Sequence, residues 1–246
     1  MPKTLILIPS RMSATRLPGK PLLKINNLSI ISHVVNKAKN TKIGRVVVCA
    51  ENQSILDNVE KNGGEGVLTG NQHKSGTDRI YEGYKKLNIK DVDYILNIQG
   101  DEPSINENDI INLNNMMIKT NSNIGTLGAE IKDKKMFSNI NIVKVKTKEK
   151  LNTKNSSLAL SFKRNYLFKE KENIYHHIGI YAYRVKTLEK FVNLDQTKNE
   201  AQNRLEQLRA LDNNLEINVS LAKSSPIGVD TREDYLALKK IMEYKS

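Results

Sequence analysis

Three cations lie in one short loop near the start of the chain. Arg11, Arg16 and Lys20 follow an apolar run at residues 5–8, and Pro9 ends the strand-like character of that run. Arginine offers a planar fork of donors, lysine offers a point charge, and a loop before a helix offers backbone N–H groups. These residue types and this spacing predict a polyphosphate-binding loop. The alternative is that these are solvated surface cations, because the whole chain is basic.

Two aspartates that are far apart in the sequence both follow strand-like segments. Asp101 follows the segment at 94–98, with Gly100 beside it, and Asp230 precedes the last predicted helix. Mg²⁺ prefers a few protein oxygens together with substrate oxygens, so two such carboxylates suit a phosphate-bound Mg²⁺. The alternatives are that Asp101 is a turn residue that caps the next helix and that Asp230 is the N-cap of the last helix.

Two further groups of polar residues are candidates for ligand recognition. The segment 71–79 carries hydroxyls and amides that suit a base and a ribose, although helix capping alone would also explain it. His177 and Tyr181 flank a strand-like segment, and Glu206 and Gln207 lie on a predicted helix. Imidazole, phenol, carboxylate and amide together suit a polyhydroxylated ligand. Their spacing does not show that they converge, and a solvated Glu206 is the alternative.

Alternating strand and helix patterns position these residues in the first half of the chain. The strand patterns cover residues 5–8, 46–50, 67–68 and 94–98, and the helix patterns cover 30–39, 55–62 and 80–87. This rhythm predicts an α/β fold with a three-layer, mostly parallel, doubly wound sheet and right-handed crossovers. Ligands of such sheets bind beyond the carboxyl ends of the strands, where the candidate residues lie.

The second half is less regular. Its predicted helices cover 107–119, 197–211 and 232–244, and its predicted strands cover 124–127, 142–145, 158–162, 178–183 and 215–221. Strands outside the alternation predict a small antiparallel extension. We therefore expect a single domain over 1–246, with residues 124–200 as an irregular extension that covers the site or forms a dimer surface.

Composition narrows the class of protein. The 246 residues carry a formal net charge of +12, but the lysines are spread over several helix faces rather than gathered in a block. No platform of aromatic and basic residues for single-stranded nucleic acid is visible, so we expect no nucleic-acid partner.

The single cysteine, Cys49, lies in an apolar strand-like run, which fits a buried thiol and a reducing compartment. No apolar stretch approaches the ~18 residues that a spanning helix needs, and no signal peptide is apparent, so we predict a cytoplasmic protein without a membrane partner.

Two common nucleotide-binding motifs are missing. The loop after the first strand is neither G-x-x-x-x-G-K-[ST] nor G-x-G-x-x-G, which disfavours P-loop ATPases and dinucleotide-binding dehydrogenases. The residues alone therefore predict an α/β enzyme that handles a nucleotide or a phosphate.

The loop Ile8-Pro9-Ser10-Arg11, continued by Thr15-Arg16-Leu17-Pro18-Gly19-Lys20-Pro21-Leu22, resembles the opening motif of 3-deoxy-manno-octulosonate (KDO) cytidylyltransferases, or CMP-KDO synthetases. The likeness extends over nearly the whole chain in the same order. Its other blocks are Gly63-Gly64-Glu65, Ser75-Gly76-Thr77-Asp78-Arg79, Asn97-Ile98-Gln99-Gly100-Asp101-Glu102-Pro103, His177-Ile178-Gly179-Ile180-Tyr181, Leu205-Glu206-Gln207-Leu208-Arg209 and Gly228-Val229-Asp230-Thr231.

The resemblance implies that CTP and KDO react to give CMP-KDO and diphosphate, with Mg²⁺, on a homodimeric fold like that of nucleotide-diphospho-sugar transferases, for lipopolysaccharide biosynthesis. At matching positions the implied catalytic residues are Lys20, Arg11 and Asp101. The implied nucleotide-binding residues are Pro9, Arg11, Arg16, Lys20, Ser75, Gly76, Thr77 and Arg79. The implied sugar-binding residues are Gln99, Arg164, His177, Tyr181, Glu206 and Gln207, and the implied Mg²⁺ ligands are Asp101 and Asp230.

Several positions depart from the family pattern. A Ser expected before Thr15 is Ala14, and a Thr-Asp pair expected after the second strand is Ala50-Glu51. On the sugar side, a Ser-Arg followed by Ile-Pro becomes Lys163-Arg164 followed by residues 165–168, and an expected Glu is Asn203. These changes leave a modified KDO, such as an amino variant, or another ulosonic or nonulosonic acid as alternative substrates. A non-catalytic nucleotide- or nucleic-acid-binding protein is the alternative from another class.

Overall fold

The computed structural model describes residues 2–13, 16–166 and 172–244. The chain forms two compact units, one of residues 1–108 with 226–246 and one of residues 109–225. We call them unit 1 and unit 2. The prediction of a single domain over 1–246 stays a prediction. Within the described ranges, no helix combines the length and the apolar character that crossing a membrane would require.

In chain order the elements are β1 (Thr4–Ser10), a 3-10 helix (Lys20–Leu22), β2 (Lys24–Ile25), β3 (Leu28–Ser29), α1 (Ile30–Asn40), β4 (Gly44–Ala50), α2 (Gln53–Lys61), β5 (Gly66–Leu68), α3 (Gly76–Leu87), β6 (Tyr94–Asn97), α4 (Glu107–Thr120), β7 (Ile124–Ala129), α5 (Lys135–Ser138), β8 (Lys144–Thr147), β9 (Ser157–Lys163), β10 (Ile174–Arg184), α6 (Val185–Val192), α7 (Lys198–Asn203), α8 (Gln207–Asp212), β11 (Ile217–Ala222) and α9 (Arg232–Glu243).

Unit 1 is built on a parallel sheet with the strand order β5-β4-β1-β6. The four apolar residues 5–8 of β1 are at most 2% exposed, as expected for a central strand that is covered on both faces. Cys49 is buried in β4, where burial raises the pKa of its thiol to about 12. The β-α-β order predicted for the first half is therefore confirmed.

The helices of unit 1 begin at polar caps that the sequence supplies. Ser75 caps α3 by accepting the N–H of Asp78 at 3.1 Å. Thr231 caps α9 in a capping box with Asp234, so the alternative role of Asp230 as the N-cap does not hold. These caps fix where the polar loops after the strands end.

Unit 2 contains five strands in the order β10-β7-β11-β9-β8, and β8 also pairs with β10, so the sheet closes on itself. Only β7 and β11 are parallel, and the other pairs are antiparallel. Closure removes free strand edges within this unit. The predicted antiparallel extension is thus present.

One sequence prediction in the second half is wrong, and one helix was not predicted. The helix expected over 197–211 is divided into α7 and α8, because Arg204 adopts a left-handed conformation with φ of 52° and ends α7. The helix α6 was not predicted, since its pattern runs on directly from β10. The polar stretch 163–173 includes residues 167–171, which lie outside the described residues.

Candidate active site

A polar cleft lies at the carboxyl ends of β1 and β6 in unit 1. Among the residues implied by sequence, those that line it are Pro9, Arg11, Arg16, Lys20, Ser75, Gly76, Arg79, Gln99, Asp101 and Asp230. Ser10, Pro21, His73, Lys74 and Gly100 complete the lining. Thr77 is buried and does not line the cleft. The structure therefore brings together residues from four separate stretches of chain that the sequence had marked.

Lys20 is the centre of this cleft. Its ammonium donates to Asp101 Oδ2 at 2.6 Å and to Asp230 Oδ1 at 3.2 Å, and the residue is only 9% exposed. Lys20 begins the 3-10 helix directly after Gly19, whose φ of 71° suits glycine. The N–H of Gly19 donates to Met12 O at 3.1 Å and closes the loop. The turn thus aims a nearly buried ammonium at both carboxylates.

The two aspartates are held by main-chain contacts. The N–H of Val229 donates to Asp101 O at 2.9 Å, which ties the two carboxylate-bearing segments together. Gly100 is required beside them, because a Cβ at this position would lie 2.7 Å from the carbonyl oxygen of Pro9. Sequence could predict each Asp separately, but only the fold shows that they converge on one ammonium.

The two arginines of the opening loop differ in their surroundings. Arg16 pairs with Asp230 at 2.9 Å in an exposed position. Arg11 is exposed, and within the described part of the chain it has no ion-pair partner. The departure at Ala14 lies outside the described residues. Arg11 therefore offers a guanidinium whose charge is not neutralised at the mouth of the cleft.

Glu102 follows Asp101 and differs from it in charge. Burial, together with the negative charges of Asp101 and Asp230, raises the pKa of the Glu102 carboxyl to about 8. Its Oε2 atom is buried and finds no hydrogen-bond partner among the described residues. Glu102 is consequently protonated near neutral pH, and the cleft carries two negative carboxylates rather than three.

Arg79 is buried and lines the cleft. Its guanidinium donates to Thr69 Oγ1 at 2.7 Å, to Gly70 O at 2.9 Å and to Glu51 Oε2 at 2.7 Å. The departure at Glu51 thus supplies the carboxylate that neutralises this arginine. Arg79 holds the segment after β5 in place and still lines the cleft.

Sequence analysis missed the role of Glu82. From α3 it accepts the N–H of Gly70 at 2.9 Å and a hydrogen bond from the ring of His73, and it pairs with Lys86 at 2.7 Å. Burial raises the pKa of Glu82, but the hydrogen bonds from Lys86, His73 and Gly70 outweigh burial and lower the pKa to about 2. The one sequence signal was the i, i+4 spacing of Glu82 and Lys86.

In unit 2, His177 and Tyr181 lie close together on β10. Their ring centroids are 5.5 Å apart, and both side chains are buried. The hydroxyl of Thr126 donates to Ile180 O at 2.7 Å, so the ring N–H of His177 donates to that hydroxyl oxygen, 3.0 Å away. Burial, and then the nearby His176, lower the pKa of His177 to about 3, which makes its imidazole neutral.

Glu206 and Gln207 lie at the start of α8 in unit 2. Burial raises the pKa of Tyr181 well above its usual value, and the neighbouring Tyr183 and Glu206 raise it further, so Glu206 is near the phenol. Gln207 is buried. The structure therefore groups His177, Tyr181 and Glu206. Arg164 donates to the carbonyl groups of residues 140, 203 and 204, and Gln99 belongs to unit 1.

The donor set of the cleft fits a magnesium ion. Asp101 and Asp230 place one carboxylate oxygen each within hydrogen-bond distance of one point, the Lys20 ammonium. No cluster of three metal-ligating side chains occurs in residues 2–13, 16–166 and 172–244. Two hard oxygen donors match Mg²⁺, which takes its remaining ligands from phosphate and water.

A nucleotide-sized cleft with clustered cations and paired carboxylates, on a parallel α/β sheet, is typical of nucleotidyl-transfer enzymes. The chain matches the family model described as cytidylyltransferase over residues 5–217. It is thus a cytidylyltransferase by class, and an enzyme of the nucleotidyltransferase type.

Two curated relatives and one solved structure refine the class. A 3-deoxy-manno-octulosonate cytidylyltransferase from Bartonella bacilliformis is 40% identical over 98% of both chains. The enzyme of that name from Thermodesulfovibrio yellowstonii is 40% identical over 97% of this chain and 98% of its own. A CMP:2-keto-3-deoxy-manno-octonic acid synthetase solved with CTP has a TM-score of 0.88 at 30% identity, over 99% of this chain and 100% of its own. The chain belongs to the 3-deoxy-manno-octulosonate cytidylyltransferase family, and the predicted fold class is confirmed.

Proposed function

We propose that this enzyme transfers CMP from CTP to the anomeric hydroxyl of KDO, giving CMP-KDO and diphosphate. The observation that carries the proposal is the contact of the nearly buried Lys20 with both Asp101 and Asp230, in a cleft that three arginines also line. The names of relatives that align over nearly the full chain support the choice of CTP and KDO.

The cations of the opening loop would bind the triphosphate. Arg11 has no carboxylate partner in the described ranges, so a phosphate would meet an unpaired guanidinium there. Lys20 would stabilise the charge that develops on the α-phosphate, while Arg16 would contact the leaving diphosphate. In-line displacement at phosphorus needs mainly positioning and charge stabilisation, which fixed cations provide without reorganisation.

Asp101 and Asp230 would hold Mg²⁺ against the phosphates. When bound, the ion supplies a Lewis acid that neutralises phosphate charge and lowers the pKa of a coordinated hydroxyl. Lys20 contacts both carboxylates and would keep them close to each other. The protonated Glu102 would leave this pair without a third negative charge at neutral pH.

The nucleoside and sugar would meet different groups of side chains. Ser75 and Gly76 at the start of α3 line the cleft above the buried Arg79, and we assign the base and ribose to this side. Gln99 and the unit 2 residues Arg164, His177, Tyr181, Glu206 and Gln207 are assigned to the sugar acid. With its ring N–H donated to Thr126, the neutral His177 would present Nδ1 as an acceptor for a sugar hydroxyl.

The test is diphosphate release from CTP with Mg²⁺ and a panel of sugar acids. We expect release with KDO, and the other nucleoside triphosphates serve as controls. Release with an amino variant or another ulosonic acid, but not with KDO, would change the substrate only. The altered positions Lys163 and Asn203 favour including these acids. If no acid in the panel supports release, the enzymatic proposal is wrong.

We further infer a homodimer in the cytoplasm that supplies activated KDO for lipopolysaccharide synthesis. These points rest on the family resemblance of the sequence. Light scattering of the purified protein tests the dimer, because a dimer has twice the mass of one chain. A mass equal to one chain at micromolar concentration would contradict it.

A further inference from the structure

The positive charge of Arg164 is not neutralised by a neighbouring carboxylate among the described residues. Its guanidinium donates to the carbonyl oxygens of Asn203 at 3.4 Å, Ile140 at 3.3 Å and Arg204 at 3.3 Å. Among the residues that the structure describes, no carboxylate forms an ion pair with it. Three neutral acceptors orient the planar group without cancelling its charge, which suits a site for an incoming carboxylate.

Lys144 is a fully buried lysine in β8, with 0% of its surface exposed. Its ammonium donates to Asn139 O and Ile142 O at 2.7 Å each and to the carbonyl oxygen of Arg164. Burial, and then the positive charge of Arg164, lower the pKa of Lys144. The three acceptors nevertheless match the three N–H groups of a charged ammonium, whereas a neutral amine has only two. A buried cation is costly unless it is bonded in this way.

The carbonyl groups that accept from Lys144 belong to the segments that hold Arg164 in place. One of them is the carbonyl group of Arg164 itself. The other two, Asn139 and Ile142, flank Ile140, whose carbonyl accepts the guanidinium of Arg164. A single ammonium therefore holds both the backbone that bears Arg164 and the loop that orients its side chain.

We propose that Lys144 is the positioning residue that sets Arg164 for the carboxylate of the sugar acid. This inference rests on the proposed function, in which Arg164 binds that carboxylate. Lys144 would not touch the substrate. Its removal would free the 139–142 loop and the end of β9, so that Arg164 would no longer be held in one orientation for a bidentate contact.

The test compares Lys144→Met with Lys146→Met by steady-state kinetics. Lys146 lies on the same strand, but its ammonium pairs with Glu172 at 2.8 Å. We expect Lys144→Met to raise the KM for the sugar acid roughly 10- to 100-fold with the KM for CTP within about twofold, as for loss of a ground-state contact. Lys146→Met should leave both constants near the wild-type values. If Lys144→Met does not fold, Lys144→Gln, which keeps two donors, should shift the same constant in the same direction.

A double-mutant cycle with Arg164→Ala separates positioning from general stability. Because Lys144 acts through Arg164, Lys144→Met should add less than about threefold to the sugar KM in the Arg164→Ala background. The inference would be overturned if Lys144→Met raised the sugar KM by the same factor in both backgrounds, or if it raised the KM for CTP in parallel. Turnover by the wild-type enzyme would still leave the proposed function intact. An unchanged sugar KM in Arg164→Ala would also overturn the inference. Inactivity of the wild type with every sugar acid would overturn the proposed function itself and the inference with it.

Discussion

At the scale of single residues, Lys20 is the clearest link between sequence and chemistry. A lysine in a basic loop is ordinarily a solvated surface cation, but this one is 9% exposed and contacts two carboxylates. Removal of either aspartate would change the charge balance of a nearly buried group. The arrangement of the cleft therefore depends on one ammonium between two carboxylates, with Arg16 as a second cation on Asp230.

Asp101→Asn should abolish most turnover while the fold is retained. An amide is a poor ligand for Mg²⁺ and a weaker partner for Lys20, so we expect kcat to fall about 10²- to 10³-fold. The melting temperature and the rate of diphosphate release are the measurements. Asp57→Asn, an exposed change of the same type in α2, is the control and should leave the rate unchanged. Near-normal turnover in Asp101→Asn would refute the metal-ligand assignment.

The lowered pKa of His177 makes the stability of the protein depend on pH. Because its folded-state pKa is about 3 against the usual 6.5, the unfolded chain binds the proton first, and stability is lost as the pH falls from 6.5 toward 3. His177→Gln removes this linkage, so the slope of the unfolding free energy over that range should decrease by up to ~1.4 kcal/mol per pH unit. Urea unfolding at several pH values measures the slope. An unchanged slope would mean that the imidazole is charged in the folded protein.

At the scale of elements, a buried ion pair fixes the segment after β5 to α3. Arg79 in α3 bonds to Thr69 and Gly70 in that segment and to Glu51 after β4, and the side chains of Arg79 and Glu51 are 3% and 11% exposed. Glu82 from the same helix holds Gly70 and His73. One helix therefore fixes the segment after β5, whose residues 73–75 line the cleft.

Arg79→Met should destabilise the protein by ~3–5 kcal/mol, because it leaves the Glu51 carboxylate buried without a partner. Chemical denaturation measures this loss. The double variant Arg79→Met with Glu51→Gln should recover part of it, since no charge is then left unpaired. If the double variant is as unstable as the single one, the contacts with Thr69 and Gly70, rather than the ion pair, account for the effect.

The strands and caps of unit 1 were predictable because their signals are local. Apolar runs such as that of β1, and a serine before α3, carry their structure in adjacent residues. The break at Arg204 was not predictable, because arginine rarely adopts a left-handed conformation and no glycine marks the site. Likewise, Lys144 looks in sequence like any surface lysine. Its nest of carbonyl groups is assembled from three segments that only tertiary structure brings together.

At the scale of the whole molecule, the positive charge is spread widely, whereas the candidate site residues are concentrated in one cleft. The net charge of +12 is spread over the chain, whereas the cleft gathers a few cations against Asp101 and Asp230. Such an excess raises the concentration of anionic substrates near the protein. The sequence alone predicts the phosphate loop and both aspartates as site residues, and their roles stay predictions. The convergence of these segments on Lys20 required the fold.

The most direct test of the central claim follows the oxygen that becomes bonded to phosphorus. KDO labelled with ¹⁸O at the anomeric hydroxyl should be incubated with CTP, Mg²⁺ and the wild-type enzyme, and the products analysed by mass spectrometry. If the sugar hydroxyl attacks the α-phosphorus, the label appears in CMP-KDO and none appears in diphosphate. Unlabelled CMP-KDO formed from KDO that still carries the label, or CTP consumption without a CMP-sugar, would contradict the account.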